Sequence, residues 1–307
     1  MFRASLISSA AVVSLRLCAE AQIEQARLMP RAPASASEMP SGGIADFPDL
    51  GGAATVDDAF GAQVIMKEQP RVRPFTAFAE VAAFFTNNVG LAKRSMERDG
   101  FLIASAGAAG SRTLGALRLD AGVRTSVYRY AEYRELDFQS VDGSVGLAWT
   151  PPKLRGAEVL LRYTFTDLTT AEHRSEFFKN HAVLLGVQDA FAISRAQAVY
   201  GGVQAQWSWA DPREAGRDEY SVFAGYRLQA TRSVDVDVSY RYARFVYREA
   251  DGRQDNNHSF SLTARYAPRA WFSISATGFA GFNRSNREQF DYDVLNAGGA
   301  VQGTVRF

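Results

Sequence analysis

From residue 74 to the end of the chain, apolar and polar residues alternate with a period of two. That period marks extended strands with two chemically different faces. Val234, Val236, Val238, Tyr240 and Tyr242 oppose Asp235, Asp237, Ser239 and Arg241. Val159, Leu161, Tyr163 and Phe165 oppose Glu158, Arg162, Thr164 and Thr166, and Val141, Val145, Leu147 and Trp149 oppose Ser140, Asp142 and Ser144. Phe260, Leu262, Ala264 and Tyr266 oppose Ser259, Ser261, Thr263 and Arg265. About twelve such runs can be counted. They begin near Phe75, Phe101, Leu114, Phe138, Ala157, His181, Ala196, Tyr220, Ser233, Ser259, Ala270 and Val294.

The connections alternate in kind. One set is short: Gly110–Thr113, Pro151–Gly156, Ser194–Arg195, Thr231–Arg232 and Pro268–Arg269. The other is longer and more charged: Asn87–Gly100, Glu132–Asp137, Thr170–Asn180, Asp211–Glu219, Glu249–Asn257 and Asn283–Asp293. At the C-terminus Val301, Gly303, Val305 and Phe307 share one face, while Ala300, Gln302, Thr304 and Arg306 share the other. Taken alone, such an ending fits either the last strand of a membrane barrel or an edge strand of a soluble sandwich.

Together these features resemble bacterial outer-membrane β-barrel proteins as a broad group, porin-like and with about twelve strands. Short turns on one side, long loops on the other and an even strand count are the expected asymmetry of such barrels. The resemblance implies an all-β, up-and-down antiparallel transmembrane barrel. It also implies that Val301, Val305 and Phe307 form an assembly signal read by the barrel-assembly machinery. Outer-membrane lipid and lipopolysaccharide are the implied surroundings.

The N-terminus agrees with export. Residues 1–21 read as a secretory signal peptide, with Arg3, an apolar stretch from Leu6 to Leu15, and Ala19-Glu20-Ala21 as the cleavage site. Leu17 stands where a lipoprotein signal needs a small residue, so Cys18 is not read as an acylation site. Beyond the signal there is no apolar run long enough for a membrane helix, and the mean hydropathy is slightly negative. Alternation explains this, because a barrel strand shows lipid only every second side chain. Residues 22–73 are rich in Ala, Pro, Ser and Gly and read as a periplasmic linker. Thr55 could cap a short helix within 55–67, read as a transient helix in the tether, with a small periplasmic helix or a lumen plug as alternatives. Residues 74–307 are the expected barrel.

Charge then assigns the faces. An Arg pointing into hydrocarbon at mid-depth costs about 2–4 kcal/mol, so the charged faces must line the inside. The lumen set is Glu80, Arg118, Asp120, Arg124, Asp142, Glu158, Arg162, Arg227, Asp235, Asp237, Arg241, Arg265 and Arg306. Its two readings stay open: a polar pore lining, or an internal salt-bridge lattice that blocks the barrel. Residues Ala182–Ala192 do not declare which face is which, because Leu184 and Leu185 are adjacent. Phe101–Ala109 is small and apolar on both faces, which suggests packing against something inside.

Aromatics cluster at strand ends as two girdles. The outer one is expected to hold Phe84, Phe85, Tyr128, Tyr130, Phe165, Phe177, Phe178, Trp207, Trp209, Tyr220, Tyr242, Tyr247, Phe282, Phe290 and Tyr292. The inner one is expected to hold Phe75, Trp149, Phe191, Tyr266, Trp271, Phe272 and Phe307.

Composition and motifs narrow the function. A net charge of +1 argues against nucleic acid as a partner. The three histidines lie in different segments, and no P-loop, dinucleotide fingerprint or zinc spacing occurs. No cofactor or metal is therefore expected. His173-Arg174-Ser175 is similar to the His-x-Ser arrangement of outer-membrane phospholipases, but no third residue to orient the His is identifiable. The expected function is a passive channel for small hydrophilic solutes, not an enzyme. A blocked structural or surface-interaction barrel is the alternative, and an outer-membrane hydrolase a minor one.

Overall fold

Strands in a nonpolar setting must pair every backbone N–H and C=O, and closing the sheet on itself does this without edges. In the computed structural model, which describes residues 22–28, 74–153, 156–171 and 175–307, twelve antiparallel strands form one closed barrel. In chain order they are β1 (Phe75–Thr86), β2 (Asp99–Leu114), β3 (Leu117–Tyr130), β4 (Phe138–Trp149), β5 (Glu158–Thr170) and β6 (Glu176–Ser194). Then follow β7 (Gln197–Asp211), β8 (Arg217–Gln229), β9 (Val234–Tyr247), β10 (Gln254–Arg269), β11 (Phe272–Ser285) and β12 (Tyr292–Arg306). Each strand pairs with its neighbours in sequence, and β1 closes on β12 from Thr76↔Arg306 to Thr86↔Asn296.

Phe75 and Phe307 finish the seam. The Phe75 N–H donates to the Phe307 carbonyl at 3.1 Å, and the Phe307 N–H to the Phe75 carbonyl at 3.0 Å. Their rings stack with centroids 6.0 Å apart. The barrel therefore begins and ends at one rim, called inner here, which also carries the short turns. The long loops share the opposite, outer rim.

Strand boundaries depart from expectation where backbone pairing ignores side-chain polarity. β2 runs through the expected turn at Gly110–Thr113, pairing Ser111 with Asp120 and Thr113 with Arg118. The turn falls at Gly115-Ala116, where Gly115 has φ +62°, a conformation that favours glycine. β6 and β10 start at Glu176 and Gln254, ahead of His181 and Ser259. Alternating hydropathy marks only the part of a strand in a nonpolar slab, whereas the hydrogen-bonded wall projects beyond it.

The faces divide as alternation requires. Val81, Val123, Val145, Leu161, Val238, Leu262, Val301 and Val305 all point outward and are exposed. A continuous apolar belt of this kind marks a membrane-facing surface. In β6, Leu184 pairs with the inward Arg162, so Ala182, Leu184, Gly186 and Gln188 face inside. Val183, Leu185 and Val187 then face outside.

The girdles need one correction. At the inner rim Phe75, Trp149, Phe191, Tyr266, Trp271 and Phe307 are exposed on the outward face. At the outer rim Phe85, Trp209, Tyr220 and Phe282 are exposed. Phe84, Tyr128, Tyr130, Phe178, Tyr247 and Tyr292, however, fall on the inward parity, and all but the partly buried Phe84 are buried. Clustering at strand ends does not separate the two faces; parity does. These rings belong to a packed interior at the outer end.

Candidate functional site

The packed outer end is built around a helix, α1 (22–28). Seven residues are too few for a helix to persist alone in water, so its stability comes from what it touches. Ile23 and Ala26 are buried in one cluster with Phe101, Ile103, Tyr128, Tyr130, Phe138, Leu168 and Phe178. This is the packing partner that the small, apolar Phe101–Ala109 segment implied. On another side Leu28 packs against Leu91, Phe279, Tyr292 and Val294. The contacts come from strands all round the barrel, so α1 fills the outer mouth. Val89 and Leu91, from the loop after β1, fold inward beside it and are buried.

Side chains fix α1 in place. The Gln25 amide donates to the carbonyls of Asn88 and Val89 at 3.1 and 3.2 Å, and the Gln22 amide to that of Glu135 at 3.3 Å. Arg27 donates to the Ala215 carbonyl at 2.9 Å, and its guanidinium lies 5.0 Å above the Phe178 ring. At the centre is Glu24. Arg217 Nη1 donates to both of its carboxylate oxygens, at 3.0 and 2.9 Å, and Arg27 Nη1 donates to one at 2.7 Å. Burial alone would raise the Glu24 carboxyl, but the guanidiniums of Arg217, Arg27 and Arg253 outweigh it and hold the pKa at about 2.

The wall around Glu24 is preorganised. The Arg217 guanidinium lies 3.6 Å over the Phe245 ring, and Arg253 lies between Tyr247 and Phe290 at 4.1 and 3.5 Å. Arg217 also donates to the Tyr247 hydroxyl at 3.2 Å, and Arg253 pairs with Asp255 at 2.7 Å. Glu219 accepts from Arg241 and lies 3.6 Å from Arg217.

The expected lumen set lies mostly below this site, Arg241 excepted through its bond to Glu219. Each of Glu80, Arg118, Asp120, Arg124, Asp142, Glu158, Arg162, Arg227, Asp235, Asp237, Arg241, Arg265 and Arg306 lies on the inward parity of its strand. Many pair along the wall: Arg124 with Glu80 and Arg118 with Glu158, both at 3.0 Å, and Arg162 with Asp120 at 3.2 Å. Arg227 pairs with Asp237 at 3.4 Å and Arg265 with Asp235 at 2.8 Å. Asp142 accepts from Thr166 at 2.8 Å. The Arg162–Asp120 bridge steps over β4 at Gly146, where a Cβ would lie 2.6 Å from Asp120 Oδ2. These bridges join strands one or two apart and hug the wall. Phe138, Phe178 and Tyr130 at the outer end are 0–5% exposed; at the inner rim exposure is uneven, 1–5% for Glu158, Ala148, Ala198 and Gln188 but 45% for the Arg265 side chain. The interior is thus stoppered by α1 at the outer end, while at the inner end it is closed around Glu158 and Gln188 and opens to water beside Arg265.

Sequence reasoning missed α1, Arg217 and Arg253. Gln22–Leu28 holds good helix formers followed by Pro30, a stop signal, but the Pro- and Ala-rich surroundings concealed it. Arg217 and Arg253 fell within segments read as outer loops.

For the hydrolase alternative, His173 lies outside the described residues, as do the expected signal peptide and the expected helix within 55–67. Ser175 is exposed and bonds Thr170 Oγ1 at 2.8 Å. His181 and His258 face outward and bond the hydroxyls of Tyr163 and Tyr240. Among the described residues, no group of three or more His, Cys, Asp or Glu is placed to hold a metal ion.

No protein-family model matches the chain, and no curated protein matches its sequence. Solved structures do match in shape. An outer-membrane channel from Pseudomonas putida superposes with a TM-score of 0.54 at 10% identity, over 80% of this chain and 100% of that one. The fold is that of an outer-membrane β-barrel. Weaker matches to this barrel include the translocator domain of the autotransporter NalP from Neisseria meningitidis, with a TM-score of 0.45 and 11% identity over 78% of this chain and 90% of that one. LpxR from Salmonella typhimurium matches with a TM-score of 0.40 and 10% identity, over 73% and 99%.

Proposed function

We propose that the protein is an outer-membrane channel for small hydrophilic solutes, closed at rest by its own α1. One observation carries this reading: α1 plugs the outer mouth through side-chain contacts, while the hydrogen-bonded wall is complete without it. The plug can leave without breaking the barrel. Below it, ion pairs between strands one or two apart line the wall, and charged groups near a confined path act strongly on passing ions. The C-terminal Val301, Val305 and Phe307 serve assembly, presenting an exposed apolar face and a terminal ring at the seam.

Planar-bilayer recording tests the proposal. The full chain should be silent or nearly so, and a chain lacking residues 22–28 should conduct steadily. Equal silence of both, with each shown to be a heat-modifiable barrel, would favour the blocked structural barrel instead. Steady conductance by the full chain would show that α1 is not a plug.

A further inference from the structure

Glu24 is a carboxylate held in a site that the barrel wall builds. Arg217 is set at the start of β8 by Ser208, whose hydroxyl donates to the Arg217 carbonyl at 2.6 Å and accepts from its N–H at 3.1 Å. Its guanidinium is then clamped flat on Phe245 and tied to Tyr247. None of these contacts involves α1. When α1 leaves, the site keeps its shape and loses the Glu24 carboxylate, together with the Arg27 guanidinium of the same helix. Arg217 then keeps Glu219 as a neighbour at 3.6 Å but loses the carboxylate bonded to its Nη1, and that guanidinium nitrogen, held among aromatic rings, favours another anion. Arg matches the planar, two-oxygen geometry of a carboxylate, as its bonds to both Glu24 oxygens show. The Phe245 and Tyr247 rings offer apolar surface to the organic body of such an anion.

We propose that the Arg217 site is a receptor for small organic carboxylates, that Glu24 occupies it in the closed state, and that a carboxylate solute opens the channel by taking the place of Glu24. This rests on the reading of α1 as a displaceable plug and names the solute class that displaces it.

The test uses the full chain in liposomes with Ala26→Cys. Ala26 is buried against the wall, so an impermeant maleimide reaches it only when α1 leaves. Cys18 is the single native cysteine, and the unsubstituted chain serves as the blank. Succinate at ten times its dissociation constant should speed labelling about tenfold by mass action. Succinamide, and KCl at matched ionic strength, should not. Adding Arg217→Gln should give fast labelling in every solution and abolish the response to succinate. Open probability of the unsubstituted chain should rise with succinate in the same way, which guards against a folding defect in the cysteine variant.

Succinate acting no better than KCl in both readouts would overturn the proposal, and inorganic phosphate acting as well as succinate would overturn the choice of carboxylate. If E24Q in the cysteine background labels fast while carboxylates do nothing, the plug stands and the receptor falls. If E24Q also stays unlabelled, the plug itself falls, and the receptor with it.

Discussion

Glu24→Gln is expected to open the barrel at neutral pH. The amide keeps the size of the side chain but leaves the buried Arg217 and Arg27 without their shared anion. In the docked helix Arg217, Arg27 and Arg253 lower the Glu24 pKa from its ordinary 4.5 to about 2; because Arg27 belongs to the same helix, the part owed to docking is at most about 3 kcal/mol. Losing it shifts the ratio of docked to undocked helix by up to about two orders of magnitude. Recordings of E24Q should therefore show long openings where the unsubstituted chain shows brief ones. The pH dependence has a definite sign. A depressed carboxyl contributes its stabilisation above its undocked value and loses it as protons bind the docked form. Docking should be flat from about pH 5 to 8 and weaken from about pH 4.5 towards 2. E24Q should lack this acid opening. Unchanged gating in E24Q, or opening that begins near pH 7, would show that Glu24 does not hold the plug.

Val145→Arg is expected to prevent assembly, or to leave a barrel that melts far more easily. Val145 lies in the outward belt near the middle of β4, with 59% of its surface exposed. An Arg at mid-depth on a lipid face costs about 2–4 kcal/mol, a large part of the 5–15 kcal/mol that ordinary domains have in total. Ser144→Arg, one residue away on the inward, polar face, should cost much less. Heat-modifiability and urea melting of the two variants in lipid measure the difference. Equal stability would mean that the assigned faces are wrong, along with the inward placement of Arg162 and Arg241.

Much of the barrel was legible because its physics is local. Alternation in β4, β5, β9 and β10 identifies strand and face at once, and the charges on Arg162, Asp237 and Arg265 settle which face is inside. The interior of the outer mouth was less legible, since it depends on residues far apart in sequence. Tyr128, Tyr130 and Tyr292 read as interfacial rings by position and proved to be core by parity. Nothing near Gln22–Leu28 signals that Glu24 will meet Arg217 across the lumen, 193 residues on. A short amphipathic segment inside a Pro-rich stretch gives the same pattern whether it docks or not. What decides is the cavity, and the cavity exists only after twelve strands have closed.

Hydrogen exchange on residues 22–28 of the folded protein in lipid tests the docked plug most directly. These amides should exchange slowly in the unsubstituted chain. In E24Q they should exchange quickly while the strand amides remain protected. Fast exchange of residues 22–28 in the unsubstituted chain, at the rate of an unstructured peptide, would contradict the docked plug.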